Sequence, residues 1–215
     1  MDVDDDDGLS THFEVGRTAA FSDAVIAIAA TLLVLDLRPP HIAPGQTLGR
    51  ALAVQWPSYV ALVSSFLVIG LIWIHHHRLF RLLDRADHTL LNLNLLLMLA
   101  VLIVPFPTAL LAEYPYERVS AVFYTSVVAA NALLFMLIWA HVRRQERLLQ
   151  PGIPAVVMRL IGLQYRIGVT TYLVLVVVSF VSVHASIAGN ILVAVFFALP
   201  LNAIKRREPL DRPTR

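Results

Sequence analysis

Long stretches without a formal charge dominate the chain, and a lipid bilayer is the solvent in which such stretches are stable. Residues 51–74 and 89–112 give 24 each, 119–140 gives 22, 185–204 gives 20, and 167–183 gives 17 and extends back past Arg166 toward Leu160. A sixth stretch, 18–35, is 18 residues long and carries one acid, Asp23. A hydrocarbon core of about 30 Å takes about 20 apolar residues at 1.5 Å per residue. Backbone groups in lipid must bond within their own segment, which selects helices, and the stretches lack the alternation of a β-barrel. Composition agrees: 58% of the 215 residues are hydrophobic, 15% are charged and the mean hydropathy is +0.71, against about 45–50% and about 25% in soluble domains. The predicted fold class is an all-α membrane protein with six transmembrane helices. Cysteine is absent, which removes disulfide scaffolds, thiolate metal sites and cysteine nucleophiles.

The basic residues orient these spans. With six of them, Arg17, Arg78, Arg81, Arg85, Arg143, Arg144, Arg147, Arg159, Arg166, Lys205, Arg206, Arg207, Arg212 and Arg215 fall on one side, and only Arg38, Arg50 and Arg118 on the other. The positive-inside rule places both termini in the cytoplasm, and the compartment expected is the inner (plasma) membrane. The first residues, Met1-Asp2-Val3-Asp4-Asp5-Asp6-Asp7, are acidic where a secretory signal is basic. Residues 1–16 are expected to form a solvated, mobile tail, 17–207 the membrane domain and 208–215 a second tail. Pro39-Pro40 ends the first helix, Pro57 suits a first turn, Pro105 and Pro107 kink or shorten the third span, and Pro151-Gly152 with Pro154 break the loop before the fifth. A net charge of +2 gives no reason to expect nucleic acid; the basic loops Arg143–Arg147 and Lys205–Arg207 read as topology signals that touch anionic lipid.

The first helix carries the most information. Asp23 is an ionisable group in a span, which insertion scales penalise by about 2.5–3.5 kcal/mol at the helix centre. It lies toward the cytoplasmic end, where a tie to Arg17 or to a histidine of the second helix would neutralise it. At 100° per residue, Ile28, Thr31, Leu32 and Leu35 fall within about 100° of one another, and Asp23 lies about 140° from Ile28. Ala20, Ala24, Ala27 and Ala30 let neighbouring backbones approach closely. Periodicity alone leaves the Ile28 stripe open to lipid, core or pore. Asn131, Asn190 and Asn202 are expected to bond helix to helix.

Arg17, three residues, then Phe21-Ser22-Asp23 resembles the R-x-x-x-F-S-D signature of the transmembrane protein 175 family in its bacterial form. Trp73-Ile74-His75-His76-His77-Arg78-Leu79-Phe80 is similar to that family's tryptophan-histidine end of helix 2. Leu90-Leu91-Asn92-Leu93-Asn94-Leu95 with Val104-Pro105-Phe106-Pro107-Thr108 is similar to its helix 3. The resemblance covers the first three helices through motifs and the last three through topology. It implies a potassium-preferring, leak-like cation channel, assembled as a homotetramer in which helix 1 lines a central pore, without the T-V-G-Y-G filter, which this chain also lacks. It places the constriction at Ile28, with Thr31, Leu32 and Leu35 on the same face. Arg17, Phe21, Ser22, Asp23, Trp73, His76, His77 and Asn94 become motif and helix-packing residues.

A ring of Ile28 side chains would gate by dewetting. Thr31 is the one oxygen-bearing side chain on the stripe; its hydroxyl either meets a partly hydrated cation or bonds a carbonyl one turn earlier. Asp36 either concentrates cations at the outer mouth or is an interfacial charge beside Arg38. His75-His76-His77 cannot converge on one metal, since neighbours on a helix point 100° apart, and the expected ion is permeating potassium, with no cofactor. Protonation of His76 or His77 near Asp23 would give gating a pH dependence. A proton channel of the same architecture is the alternative. A secondary transporter ranks lower because residues 1–112 and 113–215 show no convincing similarity, and a membrane enzyme ranks lower still, since neither G-x-S-x-G nor H-E-x-x-H occurs. A non-conducting structural membrane protein remains compatible with the sequence.

Overall fold

Proline placement decides where the apolar stretches break. A computed structural model describes residues 14–198. The first helix, α1 (Val15–Leu32), tightens into a 3-10 turn over Leu33–Asp36 and stops short of Pro39-Pro40. The stretch 51–74, read above as one helix, is divided. A short helix α2 (Leu48–Val54), capped by the Thr47 hydroxyl on the Arg50 amide, ends at Gln55, and α3 (Trp56–Phe80) starts anew with Pro57 in its first turn. The reason is steric: a proline at 57 has no N–H to give the carbonyl of Ala53 and its ring collides with that carbonyl. The third span breaks as expected, into α4 (His88–Ile103) and α5 (Pro105–Glu113), hinged at Val104. Then come α6 (Arg118–Arg144), a 3-10 turn (Glu146–Leu148), and α7 (Ala155–Val181), which reaches further back than Leu160. Gly152 supplies the left-handed backbone (φ +85°) that the turn between them requires. Only Ser182 separates α7 from α8 (Val183–Ala198).

Among the described residues, five helical segments are long and apolar enough to cross a membrane: Val15–Asp36, Trp56–Phe80, His88–Glu113, Arg118–Arg144 and Ala155–Val181. The α8 segment is apolar and shorter, and the far part of the 185–204 stretch, Asn202, the basic cluster at 205–207 and most of the two expected tails lie outside the described residues. No strand occurs among the described residues; an isolated bridge, Leu83 to Leu149, ties the loop after α3 to the loop before α7.

α1 lies at one edge, against α3, α4 and α5. α3 also packs on α8, α4 on α6, α6 on α7 and α7 on α8. Ile26 and Ala29 of α1 and Leu33 of the 3-10 turn that follows it join Ile69 and Ile72 of α3 and Leu97 and Val101 of α4 in one continuous apolar core. Lipid tails are as apolar as leucine, so close packing and interhelical hydrogen bonds hold such helices together. Asn131 donates to the carbonyls of Ala100 and Val127, and Asn190 to Thr125 Oγ1, so two of the three asparagines do join helices. Ser65 Oγ sits between Tyr124 OH (3.2 Å) and Thr108 Oγ1 (2.8 Å), joining α3, α6 and α5.

Asp87 caps α4, accepting from the Leu90 amide at 2.8 Å, and pairs with His141 Nε2 of α6 at 3.0 Å. Partial burial works against its charge, yet the Leu90 amide, the His141 ring and the Arg147 guanidinium outweigh this and hold the carboxyl below its ordinary 3.8. A depressed carboxylate stabilises the fold above its unfolded pKa and loses that contribution as pH falls through the folded value. Asp87→Ala is therefore expected to lower stability by about 1 kcal/mol at neutral pH. The gap to wild type should close in melts taken progressively below about pH 3.8; a gap that stays constant would leave capping geometry alone as the cause.

Candidate functional site

Two faces of α1 behave oppositely. Ser22, Ile26, Ala29 and Leu33, spaced 4, 3 and 4, are buried against the other helices. The stripe predicted from the sequence is left without a partner in the protomer: Ile28 is 54% exposed, Leu32 39% and Leu35 69%, and Thr31 is exposed between them. The Thr31 hydroxyl donates to the Ile28 carbonyl at 2.8 Å, the carbonyl bond one turn earlier. Its oxygen lone pairs remain on the exposed face. Asp36 is exposed at the end of the 3-10 turn.

Below this stripe, toward the start of α1, a polar chain runs through the protein interior. His76 Nε2 lies 3.0 Å from Asn94 Oδ1, Asn94 Nδ2 donates to Ser22 Oγ at 2.9 Å, and Ser22 Oγ donates to the Thr18 carbonyl at 2.9 Å. The last link fixes the direction of all the others. A carbonyl only accepts, so the Ser22 proton goes to Thr18, Asn94 must donate to Ser22, and its oxygen must accept from an N–H on His76 Nε2. The three side chains are at most 1% exposed and come from α3, α4 and α1. His76 is further held by stacking on Phe80, with ring centroids 4.0 Å apart. These bonds seat α1 on the rest of the bundle.

Asp23 does not pair with Arg17 or a histidine. It accepts from Trp73 Nε1 at 3.0 Å, and Trp73 stacks on His77 at 5.7 Å. Arg17 is exposed six residues earlier, about 120° away around the helix. Phe21 is 52% exposed, so of the four signature residues only Ser22 packs inside the protomer. His75 turns to the far flank, its Nδ1 3.0 Å from the Leu71 carbonyl and its Nε2 3.0 Å from Gln164 Nε2 of α7. The three adjacent histidines thus serve three different neighbours. The Gln164 link had no foreshadowing in the sequence, since a single amide in an apolar stretch has no spacing to identify its partner.

This arrangement, an exposed stripe on a first helix clamped by Ser22, Asn94 and His76, can be compared with known proteins. Residues 17–105 match the family described as endosomal/lysosomal potassium channel TMEM175. Over 199 residues, 91% of this chain and 97% of the relative, the sequence is 41% identical to a potassium channel of Streptomyces collinus. The chain belongs to the TMEM175 family. Its fold superimposes on the crystal structure of a lysosomal potassium-selective channel TMEM175 homolog from Chamaesiphon minutus with a TM-score of 0.76 at 41% identity, covering 86% of this chain and 96% of that one. The endosomal/lysosomal proton channel TMEM175 of Gallus gallus is 32% identical over 151 residues, 65% of this chain and 30% of that protein. As a TMEM175 member with five helical segments long and apolar enough to span a membrane among its described residues, the chain is a multi-pass membrane protein of an ion-channel family and not an enzyme.

Proposed function

We propose that this TMEM175 protein is a potassium-preferring cation channel, in which four copies bring their α1 helices around a common axis and present Ile28 to the permeating ion. The observation that carries the reading is the division of α1 into a packed face and an unpartnered one. The unpartnered face holds Ile28, Thr31, Leu32 and Leu35, the positions that family resemblance assigns to a pore. One helix cannot enclose water, but closed cyclic symmetry turns each side chain into a ring. A narrow apolar ring excludes water, and a hydrated ion meets a high barrier there. In this reading α8 continues as the sixth span, both termini are cytoplasmic, the host is the plasma membrane and residues 17–207 form the channel domain. Arg17, Phe21 and Asp23, exposed on the protomer, together with Trp73 and His77 make contacts between copies, and Asp36 stands at the outer mouth.

Purified protein in liposomes under a potassium gradient tests this. Potassium flux is expected, with a reversal potential that follows potassium and not pH. The Gallus gallus relative is a proton channel, which makes protons the second reading. A reversal potential that tracks bath pH would select that one, and no flux of either ion would defeat both. Thr31 adds the only side-chain oxygen on the stripe, so Thr31→Ala is expected to lower the potassium-over-sodium permeability ratio several-fold; an unchanged ratio removes the hydroxyl from selectivity.

A further inference from the structure

Three hydrogen-bond donors on α6 and α7 converge on the backbone of Gly162, and none of them has an anionic partner among the described residues. Arg166 Nε donates to the Gly162 carbonyl at 3.3 Å. A Cβ placed at Gly162 would lie 3.6 Å from the Arg143 guanidinium and 3.0 Å from Trp139 Nε1. The indole N–H of Trp139 is buried and unbonded. Both arginines are exposed. The ion pairs among the described residues, Arg85 with Asp84 and His141 with Asp87, involve neither.

Depth makes this arrangement informative. α7 has 27 residues, about 40 Å at 1.5 Å each, against a hydrocarbon core of about 30 Å. Counting about 20 residues back from Val181 puts Gly162 at the inner edge of the hydrocarbon. Arg166 would then start one turn inside that edge, in a recess it shares with Leu163, Ile167, Thr170 and Thr171. Its bond to Gly162 turns the guanidinium back toward the headgroup side of that edge. A cation at that depth is expensive without a counter-charge, and two guanidiniums that both lie against Gly162 suit a phosphate, whose oxygens accept charge-assisted bonds from both.

We propose that Arg143 and Arg166 form a binding site for the headgroup phosphate of an anionic phospholipid of the inner leaflet, with an acyl chain lying along Leu163 and Ile167. The occupant is a lipid because the site lies on an exposed, apolar helix face and continues the basic end of α6, which the proposed topology, on which this inference rests, makes cytoplasmic. It stands on the opposite flank from α1, so it does not depend on which ion permeates.

Native mass spectrometry of the detergent-purified protein titrated with phosphatidylglycerol or phosphatidylcholine tests the site. Wild type should retain phosphatidylglycerol at least tenfold better. Arg143→Gln with Arg166→Gln should abolish most of that preference, while Arg144→Gln with Arg147→Gln, which removes the same charge nearby, should keep it. Equal loss in both double variants would mean diffuse surface charge and overturn the site, as would a preference that survives Arg143→Gln with Arg166→Gln. Displacement of phosphatidylglycerol by millimolar inorganic phosphate would overturn the lipid reading in favour of free anion. Dissociation of the oligomer on loss of the two arginines would assign them to a contact between copies. If the double variant does not fold, Arg166→Gln against Arg166→Lys decides, since the lysine should hold a phosphate that the amide cannot. None of these readouts requires conduction, so they stand apart from the flux experiment.

Discussion

Ile28→Asn is expected to raise potassium flux into liposomes by at least about tenfold. The argument is one of wetting. In the proposed tetramer, four isoleucines at a narrow neck would offer no donor or acceptor, so water would leave the neck and the ion would have to shed its shell without replacement. Asparagine has a similar length and brings both an N–H donor and a carbonyl acceptor. A ring of four gives water enough partners to stay, and lowering the barrier by only about 1.4 kcal/mol is worth a factor of about ten in rate. Val34 provides the control: it is as exposed as Ile28 in the protomer but sits in the 3-10 turn, off the line of Ile28, Leu32 and Leu35. Val34→Asn should leave flux near wild type. If both variants raise flux alike, the effect is general loosening of the bilayer or the fold. If Ile28→Asn folds and conducts no more than wild type, the isoleucine does not stand in the permeation path.

The predicted parts of the fold were those that local physics decides. Run length indicated the five helical segments that are long enough to cross a membrane among the described residues, Pro105 indicated the break between α4 and α5, and 100° periodicity grouped Ile28, Thr31, Leu32 and Leu35 on one face without saying what that face meets; the close-packing surface read at Ala20, Ala24 and Ala27 is exposed, and Ser22, Ile26, Ala29 and Leu33 pack instead. Pro57 was read as a first-turn residue, which it is, but the same residue also forbids a helix running into it from Ala51, and that consequence showed only in the structure. The pairings across helices were less legible. Asp23 called for a cation or a histidine by charge alone, and the bundle offered it the Trp73 indole instead. Which residue meets which depends on the relative rotation and height of two helices. One turn of sliding would bring His77, four residues after Trp73, to the level of Asp23, and no periodicity within either helix records that offset.

Asn94→Leu tests the clamp that holds the first helix, and it is expected to destabilise the protein by about 2–3 kcal/mol, the penalty for a buried donor stripped of its acceptor. The orphan would be the N–H on His76 Nε2, whose side chain is only 1% exposed. Interhelical hydrogen bonds in membranes are often worth only about 0.6 kcal/mol, because the unfolded helix finds other partners in the bilayer. The difference here is that His76 stays fixed in the interior by its stack on Phe80 and cannot follow its lost partner. Ser22 is in another position, since its proton remains on the Thr18 carbonyl whatever Asn94 becomes. Ser22→Ala should therefore cost about 1 kcal/mol alone, for the Asn94 N–H it leaves unmet, and almost nothing further when Asn94 is already leucine. Melting the two single variants and the double variant in one detergent closes the cycle. Additive losses would mean that the two residues are not linked. A linked pair, by contrast, makes the seating of α1 one cooperative unit, so the same Asn94→Leu protein should also leak or conduct irregularly wherever α1 forms the pore wall.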